Sequence, residues 1–495
     1  MKKYILIIVL FCSFSVINAQ TVKIGSTSYS TITEAITAAS DGDIIEITGV
    51  HTEAITFGKS ITLRGTDPTT DIIQEAESPS TSGSGVGVIN VIREGDNDVL
   101  TVTIENLGVR NGNSASNGGG INIDKVTGKL TLNNLIIENN HSAKNGGGLG
   151  VAGSIADITN CTIKNNSSSL DGGSIIFAPN NGANVNSVIN VRQCLIDSNT
   201  GRNGGGIYIN GNPNFGNDYL IDVVLENTTV SNNNATSASG GNGGGAIFSA
   251  GRPWTADTSV GNTTLKLIHA TFYGNSHSAK NKSGIQFGSA KATNFSAYNS
   301  IIVAKDDLNT KALNFANSNT TDVVNCILGG LNGAPAAIVD DTNKNNSKGK
   351  TATFAGISAL TDEGGATQVF AFAEGSNSDD YCTAATGITL PTVDQRGAMR
   401  EGTPDAGAFE FGGTLSTHNF IDDSRLSVYP NPASYSIQLK GVNNIKKIRV
   451  YSILGALEME IENTDFFLVN TLKKGVYFIK VDAEEGSCTK KFVVN

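Results

Sequence analysis

Between residues 104 and 275 one pattern of polar and apolar positions keeps returning. It runs apolar, variable, Asn-like, small or apolar, variable, apolar, and then polar residues that mostly end in asparagine. Segments 104–112, 132–140, 158–166, 191–199, 225–233 and 267–275 carry it, and weaker copies begin at Ala297 and Val323. Successive starts lie 28, 26, 33, 34, 42, 30 and 26 residues apart. That irregularity excludes a helical solenoid and suits β-coils whose loops vary in length. Most copies are followed by a glycine cluster and a second short strand, as in Gly118-Gly119-Gly120-Ile121 and Gly204-Gly205-Gly206-Ile207. Glycine supplies the positive φ needed to turn the chain sharply between strands. Each repeat is therefore expected to be one coil of an all-β, right-handed parallel β-helix.

Stacking the coils about 4.8 Å apart, the spacing of neighbouring strands, turns the repeat into columns. One column reads Asn106, Asn134, Asn160, Gln193, Asn227, His269, Asn299 and Asn325, and a second Asn140, Asn166, Asn199, Asn233 and Asn275. Asparagine tolerates the left-handed conformation at a corner, and its amide can bond the same amide one rung away, so both columns are expected to be structural. Ile104, Leu132, Ile158, Val191, Leu225 and Leu267, and likewise Val109, Ile137, Ile163, Ile196, Val230 and Phe272, are expected as core stacks. Arg110, Glu138, Lys164 and Asp197 form an outward column whose alternating signs predict neighbouring ion pairs. Cys161 and Cys194 share an inward column with Thr228 and Ala270. They lie within disulfide reach, but reduced core thiols are the favoured reading.

In the strand after each glycine cluster the first and third residues are expected to point inward, a stack including Phe177, Ile209, Phe248 and Phe287. The middle residue then faces out, giving a strip of Ile176, Tyr208 and Ile247. Just beyond it Gly251-Arg252-Pro253-Trp254 carries the only tryptophan. Two readings stay open. Loops cover the strip as a satellite core, or Tyr208 and Trp254 stack on a sugar while Arg252 pairs with an acidic group.

A β-helix needs caps over its unpaired strand ends. Thr31-Ile32-Thr33-Glu34 has the form of a capping box, and Ile32, Ala35, Ile36 and Ala39 make a helical stripe able to cover the first rung. With the strands expected at 43–48 and 59–65, residues 29–65 resemble the N-terminal cap and first coil of pectate-lyase-like β-helix proteins. The glycine clusters paired with Leu135-Ile136-Ile137-Glu138-Asn139-Asn140 or Ala270-Thr271-Phe272-Tyr273-Gly274-Asn275 resemble polymorphic outer membrane protein repeats of bacterial surface proteins. Most copies lack that pattern's phenylalanine before the asparagine. Residues 360–368, Val393-Asp394-Gln395-Arg396-Gly397 and Pro404-Asp405-Ala406-Gly407-Ala408-Phe409-Glu410 are similar to the closing segment of secreted bacterial β-helix proteins that carry interchangeable C-terminal anchors.

After a polar linker the last 70 or so residues change to alternating strands, predicting a small antiparallel sandwich. Tyr429-Pro430-Asn431-Pro432-Ala433, then 450–455, then Lys474-Gly475-Val476-Tyr477, then 490–494 occur in order at the end of the chain. Together they resemble the type A sorting domain of the type IX secretion system of Bacteroidota-type bacteria. The resemblance implies export across the outer membrane with that machinery as partner, and release or attachment at the surface. It marks Tyr429, Pro430, Asn431, Pro432, Gly475 and Tyr477 as the sorting motif.

Composition adjusts this picture only at the edges. Lys2 and Lys3, an apolar run to Val16 and Ile17-Asn18-Ala19 read as a signal peptide, so the expected division is 1–19 signal, 20–411 β-helix with its cap, 412–425 linker and 426–495 sorting domain. No other stretch is apolar enough to span a bilayer, and a net charge of −10 disfavours nucleic acid and anionic membranes. Five cysteines beyond the signal make no disulfide framework.

The doublets Asp306-Asp307, Asp340-Asp341 and Asp379-Asp380 are the candidates for acid–base chemistry. None joins a histidine and a base in a repeating column. The identical stretches 141–144 and 277–280 (His-Ser-Ala-Lys) are expected four rungs, about 19 Å, apart and so cannot share a centre. No metal or cofactor is expected. A non-catalytic, adhesin-like surface protein binding glycans or host and environmental surface proteins is the preferred reading, and a polysaccharide lyase or glycoside hydrolase with a divergent site is the alternative.

Overall fold

The structure, a computed structural model, describes residues 20–93, 95, 99–178, 186–211, 220–238, 243–250, 263–288, 293–304, 309–334, 336–415, 426–442, 445–453, 457–462, 464–483 and 486–495. The chain divides into two compact units, Met1–Thr414 and Leu415–Asn495.

In the first unit the coils wind as expected of a parallel β-helix. The first sheet holds the longer strands (Thr101–Glu105, Lys129–Asn133, Ile155–Thr159 and their successors) and the second the strands just after the asparagine corner (Gly108–Arg110, Ile136–Glu138, Thr162–Lys164). A short third sheet begins at Asn113–Ser114, and a fourth follows the glycine clusters (Ile121–Asp124, Leu149–Ala152, Ile175–Ala178). Their described strands number 12, 10, 6 and 10. In each sheet strands from successive coils pair in parallel, except at the N-terminus, where Thr21–Ile24 runs antiparallel to its neighbours.

Every member of the first polar column sits at positive φ, from 46° at Asn227 to 57° at Asn160. That column is the corner between the first and second sheets, where side chains able to tolerate left-handed backbone are needed. The second column is the buried ladder. Nδ2 of Asn140, Asn166, Asn199 and Asn233 donates to Oδ1 of the next asparagine at 2.9–3.1 Å, and also to the backbone carbonyl of Val109, Ile137, Ile163 and Ile196. Each Oδ1 accepts a backbone N–H as well, so no member leaves a buried amide unsatisfied. Between these polar lines the aliphatic stacks fill one continuous core. Cys161 and Cys194 are free thiols within it, each donating to a backbone carbonyl.

Helix Ile32–Ala38 closes the N-terminal end, with Ile32, Ala35 and Ile36 buried. Thr31 caps it by accepting from Glu34 N, while the Glu34 carboxylate reaches back to Ser30 N. Glu53 accepts from the N–H groups of Ile32 and Thr33, taking two more of the donors that a helix start leaves unpaired.

Residues 349–414 do not continue the coils. They fold back along the outside of the later rungs. Phe370, Phe372 and Phe409 pack on Tyr273, Ile301 and Ile327 of the second sheet and on Val303 just beyond it, and Ile388 and Leu390 lie against Ile268, Tyr298 and Val324 of the first. Gly407 N donates to Asn299 O, and Ala408 N to Thr271 Oγ1. A Cβ on Gly407, whose φ is +87°, would lie 2.7 Å from Thr271 Oγ1 and 2.8 Å from Ile301 Cδ1, so only glycine allows this approach.

The second unit is antiparallel. Ser427–Tyr429, Ser436–Lys440 and Phe466–Leu468 form one sheet. Leu457–Glu462, Ile445–Ser452, Gly475–Ala483 and Gly486–Val494 form the other. Ile437, Ile448, Val450, Ile479 and Phe492 lie between them.

Candidate functional site

The outward strip of the fourth sheet differs by one residue from the expectation. Tyr208 pairs with Ile176 on one side and with Phe248 on the other, so the strip is Ile176, Tyr208 and Phe248, followed by Gln286. Ile247 belongs to the inward stack with Ile207 and Ile285, and Ser249 takes the inward place before Phe287. The reason is the turn. Its left-handed glycine lies three residues before the first inward residue, at Gly118, Gly146, Gly172, Gly204 and Gly244, so Ala246 occupies the place of Gly206 and the strand begins one residue later. Ile176 and Phe248 are buried although they point out of the sheet, and Tyr208 is half-buried. The rings of Tyr208 and Phe248 stack with centroids 5.9 Å apart and planes 5° from parallel. Arg252 and Trp254 lie outside the described residues. The arginine held nearby is Arg202, whose Nε and Nη2 each reach an Asp171 oxygen at 2.9 Å.

The outer face of the second sheet carries a recess of about 220 Å³. Ile72, Gly108 and Ile136 form its floor, Arg110, Glu138 and Lys164 one side, and Pro68 and Thr69 a wall. Asp71 builds that wall. Its carboxylate accepts from Gly49 N, Thr66 N, Thr66 Oγ1 and Asp67 N, which fixes the 66–71 turn. Burial pushes the Asp71 carboxyl upward, but those hydrogen bonds outweigh it and hold the group below its ordinary range. The charge column pairs less regularly than its signs predicted. Lys164 meets Glu138 at 3.4 Å, while Arg110 Nε donates instead to Gln74 Oε1 at 2.8 Å, and Asp197 accepts from Ser231 and Asn232.

A third cluster lies under the folded-back segment. Arg400 meets Glu410 at 2.7 Å with both side chains 2% exposed, and Arg396 meets Asp394 at 2.7 Å while its guanidinium covers the Phe409 ring. Burial lifts the Glu410 carboxyl and lowers Arg400, and their mutual attraction opposes both shifts. Asp405 accepts the N–H groups of Asp380 and Phe411, yet burial and the nearby Glu410 and Asp379 charges push its carboxyl up to about 7. Arg400 also reaches Asn227 Oδ1, and Gln395 accepts from Thr229 Oγ1 and donates to Thr367 Oγ1. These groups clip the segment to the coils.

The other sequence candidates have local duties. Asp340 pairs with Lys348, Asp341 caps the turn at Asn343, and Asp379 accepts Gly375 N. Asp306 and Asp307 lie outside the described residues. His141 and His277 stand four strands apart in the third sheet, each bonded to a serine hydroxyl at 2.8 Å. Among the described residues no group of three or more His, Cys, Asp or Glu could hold a metal ion, and no helix is long and apolar enough to cross a membrane.

At the C-terminus the motif residues are tied to the last strand. Asn431 Oδ1 accepts Val493 N, Ala433 bridges to Val493 and Asn495, and Gly475 pairs with Val494. Tyr477 is buried against the Phe492 ring and donates its hydroxyl to Lys473 O, whereas Tyr429 stands exposed. The family described as a secretion system C-terminal sorting domain matches residues 427–495. These residues are a type IX sorting domain. The sorting domain makes the type IX machinery a partner of the chain and places the protein at the cell surface or outside the cell. No curated protein and no solved structure matches the chain.

Proposed function

We propose that the exported β-helix is a non-catalytic, adhesin-like shaft that binds glycans along its flank. The Tyr208 platform supports this reading. The ring is laid flat on buried Phe248 and stays half-exposed, giving a sugar face a rigid surface at little conformational cost. Arg252 and Trp254 are proposed to complete it. The sealed acids argue in the same direction: Asp405 and Glu410, whose raised carboxyls would suit proton transfer, are 2% exposed and beyond the reach of a polymer. The mature protein should bind members of a polysaccharide panel without releasing reducing ends or unsaturated products. Release of either would make it an enzyme. Replacing Tyr208 and Trp254 by alanine should weaken binding and leave the melting curve unchanged, whereas a large drop in stability would assign both side chains to packing.

Within the sorting domain we propose that Tyr429, Pro430, Asn431, Pro432, Gly475 and Tyr477 form the recognised motif. Deleting residues 426–495 should trap the chain in the periplasm of a type IX-competent host, and surface display of the truncated protein would refute that role.

A further inference from the structure

We propose that the recess over the second sheet is a separate binding site for one carboxylate-bearing sugar ring at the end of a glycan. This rests on the glycan-binding reading above but uses a different sheet and different residues. Three features of the recess select the ligand.

The first is an arginine with its fork unoccupied. Arg110 Nε is fixed on Gln74 Oε1 at 2.8 Å, and among the described residues no carboxylate takes its terminal nitrogens, because Glu138 is engaged by Lys164 on the far side. A guanidinium held by Nε presents Nη1 and Nη2 end-on, the geometry that accepts both oxygens of a planar carboxylate. The charged groups facing the recess are Arg110, Lys164 and Glu138, leaving one positive charge in excess. That excess matches a ligand with a single negative charge.

The second feature is the floor. Ile72 and Ile136 offer aliphatic surface that the C–H face of a pyranose can cover, and Gly108 between them adds no side chain. A Cβ at Gly108 would lie 2.7 Å from Pro68 O and 2.9 Å from Ile72 Cγ1, so glycine also lets the 66–71 turn approach closely enough to form the wall. Glu138, Thr69 and Lys164 around the rim can exchange hydrogen bonds with ring hydroxyls.

The third is size. At about 220 Å³ the recess falls below the roughly 300–1,000 Å³ of pockets that enclose drug-sized ligands, so it takes one ring and not a run of them. A terminal acidic sugar satisfies all three features.

The test uses the full mature protein and immobilised oligosaccharides ending in a uronic acid, the same oligosaccharides as methyl esters, neutral-ended controls and an acidic peptide. Uronate-ended chains should be retained, and esterification or Arg110→Gln should weaken that binding about tenfold or more, the size of a charge-assisted hydrogen bond. Arg110→Lys should rescue only part, because a lysine cannot grip both oxygens. Binding of neutral-ended chains should be unchanged in Arg110→Gln, whose melting temperature should match that of the parent. Equal binding of acid and ester, insensitivity to Arg110→Gln, or preference for the acidic peptide would overturn the assignment while leaving the Tyr208 platform standing. Failure to retain any glycan would overturn both.

Discussion

The early and late halves of the second sheet share one inward stack and differ only in what they turn outward. In the column Arg110, Glu138, Lys164, Asp197, Ser231 and Tyr273, the early members are charged and the last is aromatic. The alternate outward column opens on Ile72, Gly108 and Ile136, the floor of the recess, and passes through Thr229 and Thr271 to Ile301 and Ile327. Where one of the two outward columns is charged the face is open and holds a recess. Where the columns reach Tyr273, Ile301 and Ile327, residues 349–414 cover it. Inward residues make the rung and outward residues decide whether it is displayed or covered, so the same coil serves as a binding face at one end and as a docking face at the other.

The largest test of this contrast is Arg400→Ala. It would leave Glu410 charged and buried without its partner, and should destabilise the covered half by about 3–5 kcal/mol. Limited proteolysis should then cut within 349–414 before the coils open, and retention of parental resistance would mean that the ion pair does not fasten the segment. A matched pair of substitutions in one column comes next. Tyr273→Ala removes a ring packed edge-on against Phe370 at 5.0 Å and should cost about 3 kcal/mol in a denaturant titration. Lys164→Ala, in the open half, should change stability by less than about 1 kcal/mol, and equal effects at the two positions would erase the distinction.

A pH dependence confined to the covered half is also expected. Asp405 titrates near 7 when folded against an ordinary 3.8, so the folded state holds a proton that the unfolded state has already released. Its contribution is complete below about pH 4 and is lost as pH rises through about 7. Protease resistance of 349–414 should therefore be greater at pH 5.5 than at pH 8.5, and Asp405→Asn should flatten the difference. An opposite slope would show that Asp405 is not protonated there.

Much of the β-helix was legible because translation from rung to rung repeats each constraint. The left-handed corner at Asn106 and its successors, the amide ladder from Asn140 to Asn275, and the buried stripe of the capping helix all follow from residue type and spacing. Phe248 faces outward against expectation because alanine at 246 stands where earlier copies mostly have glycine, so the glycine run ends one residue earlier relative to the strand. The fold-back of 349–414 has no period, and its anchors, such as Gln395 on Thr229, join residues far apart in the chain. The recess was not legible in the sequence for a similar reason. Its wall depends on Asp71 gathering backbone donors from two turns, and the Arg110 partner is Gln74, which lies in a coil before the recognisable repeat begins.

The asparagine ladder has a consequence for how such a chain can diversify. From corner residue to ladder residue the spacing is constant, as from Asn134 to Asn140 and from Asn227 to Asn233, while whole coils differ in length from 26 to 42 residues. The fixed interval locks the register of two sheets at once, and all the slack lies elsewhere in the coil. Length variation should therefore be inherited almost freely between the ladder and the next corner and purged within the interval. A lineage carrying this architecture can vary the loops that meet its surroundings while every rung keeps the same phase.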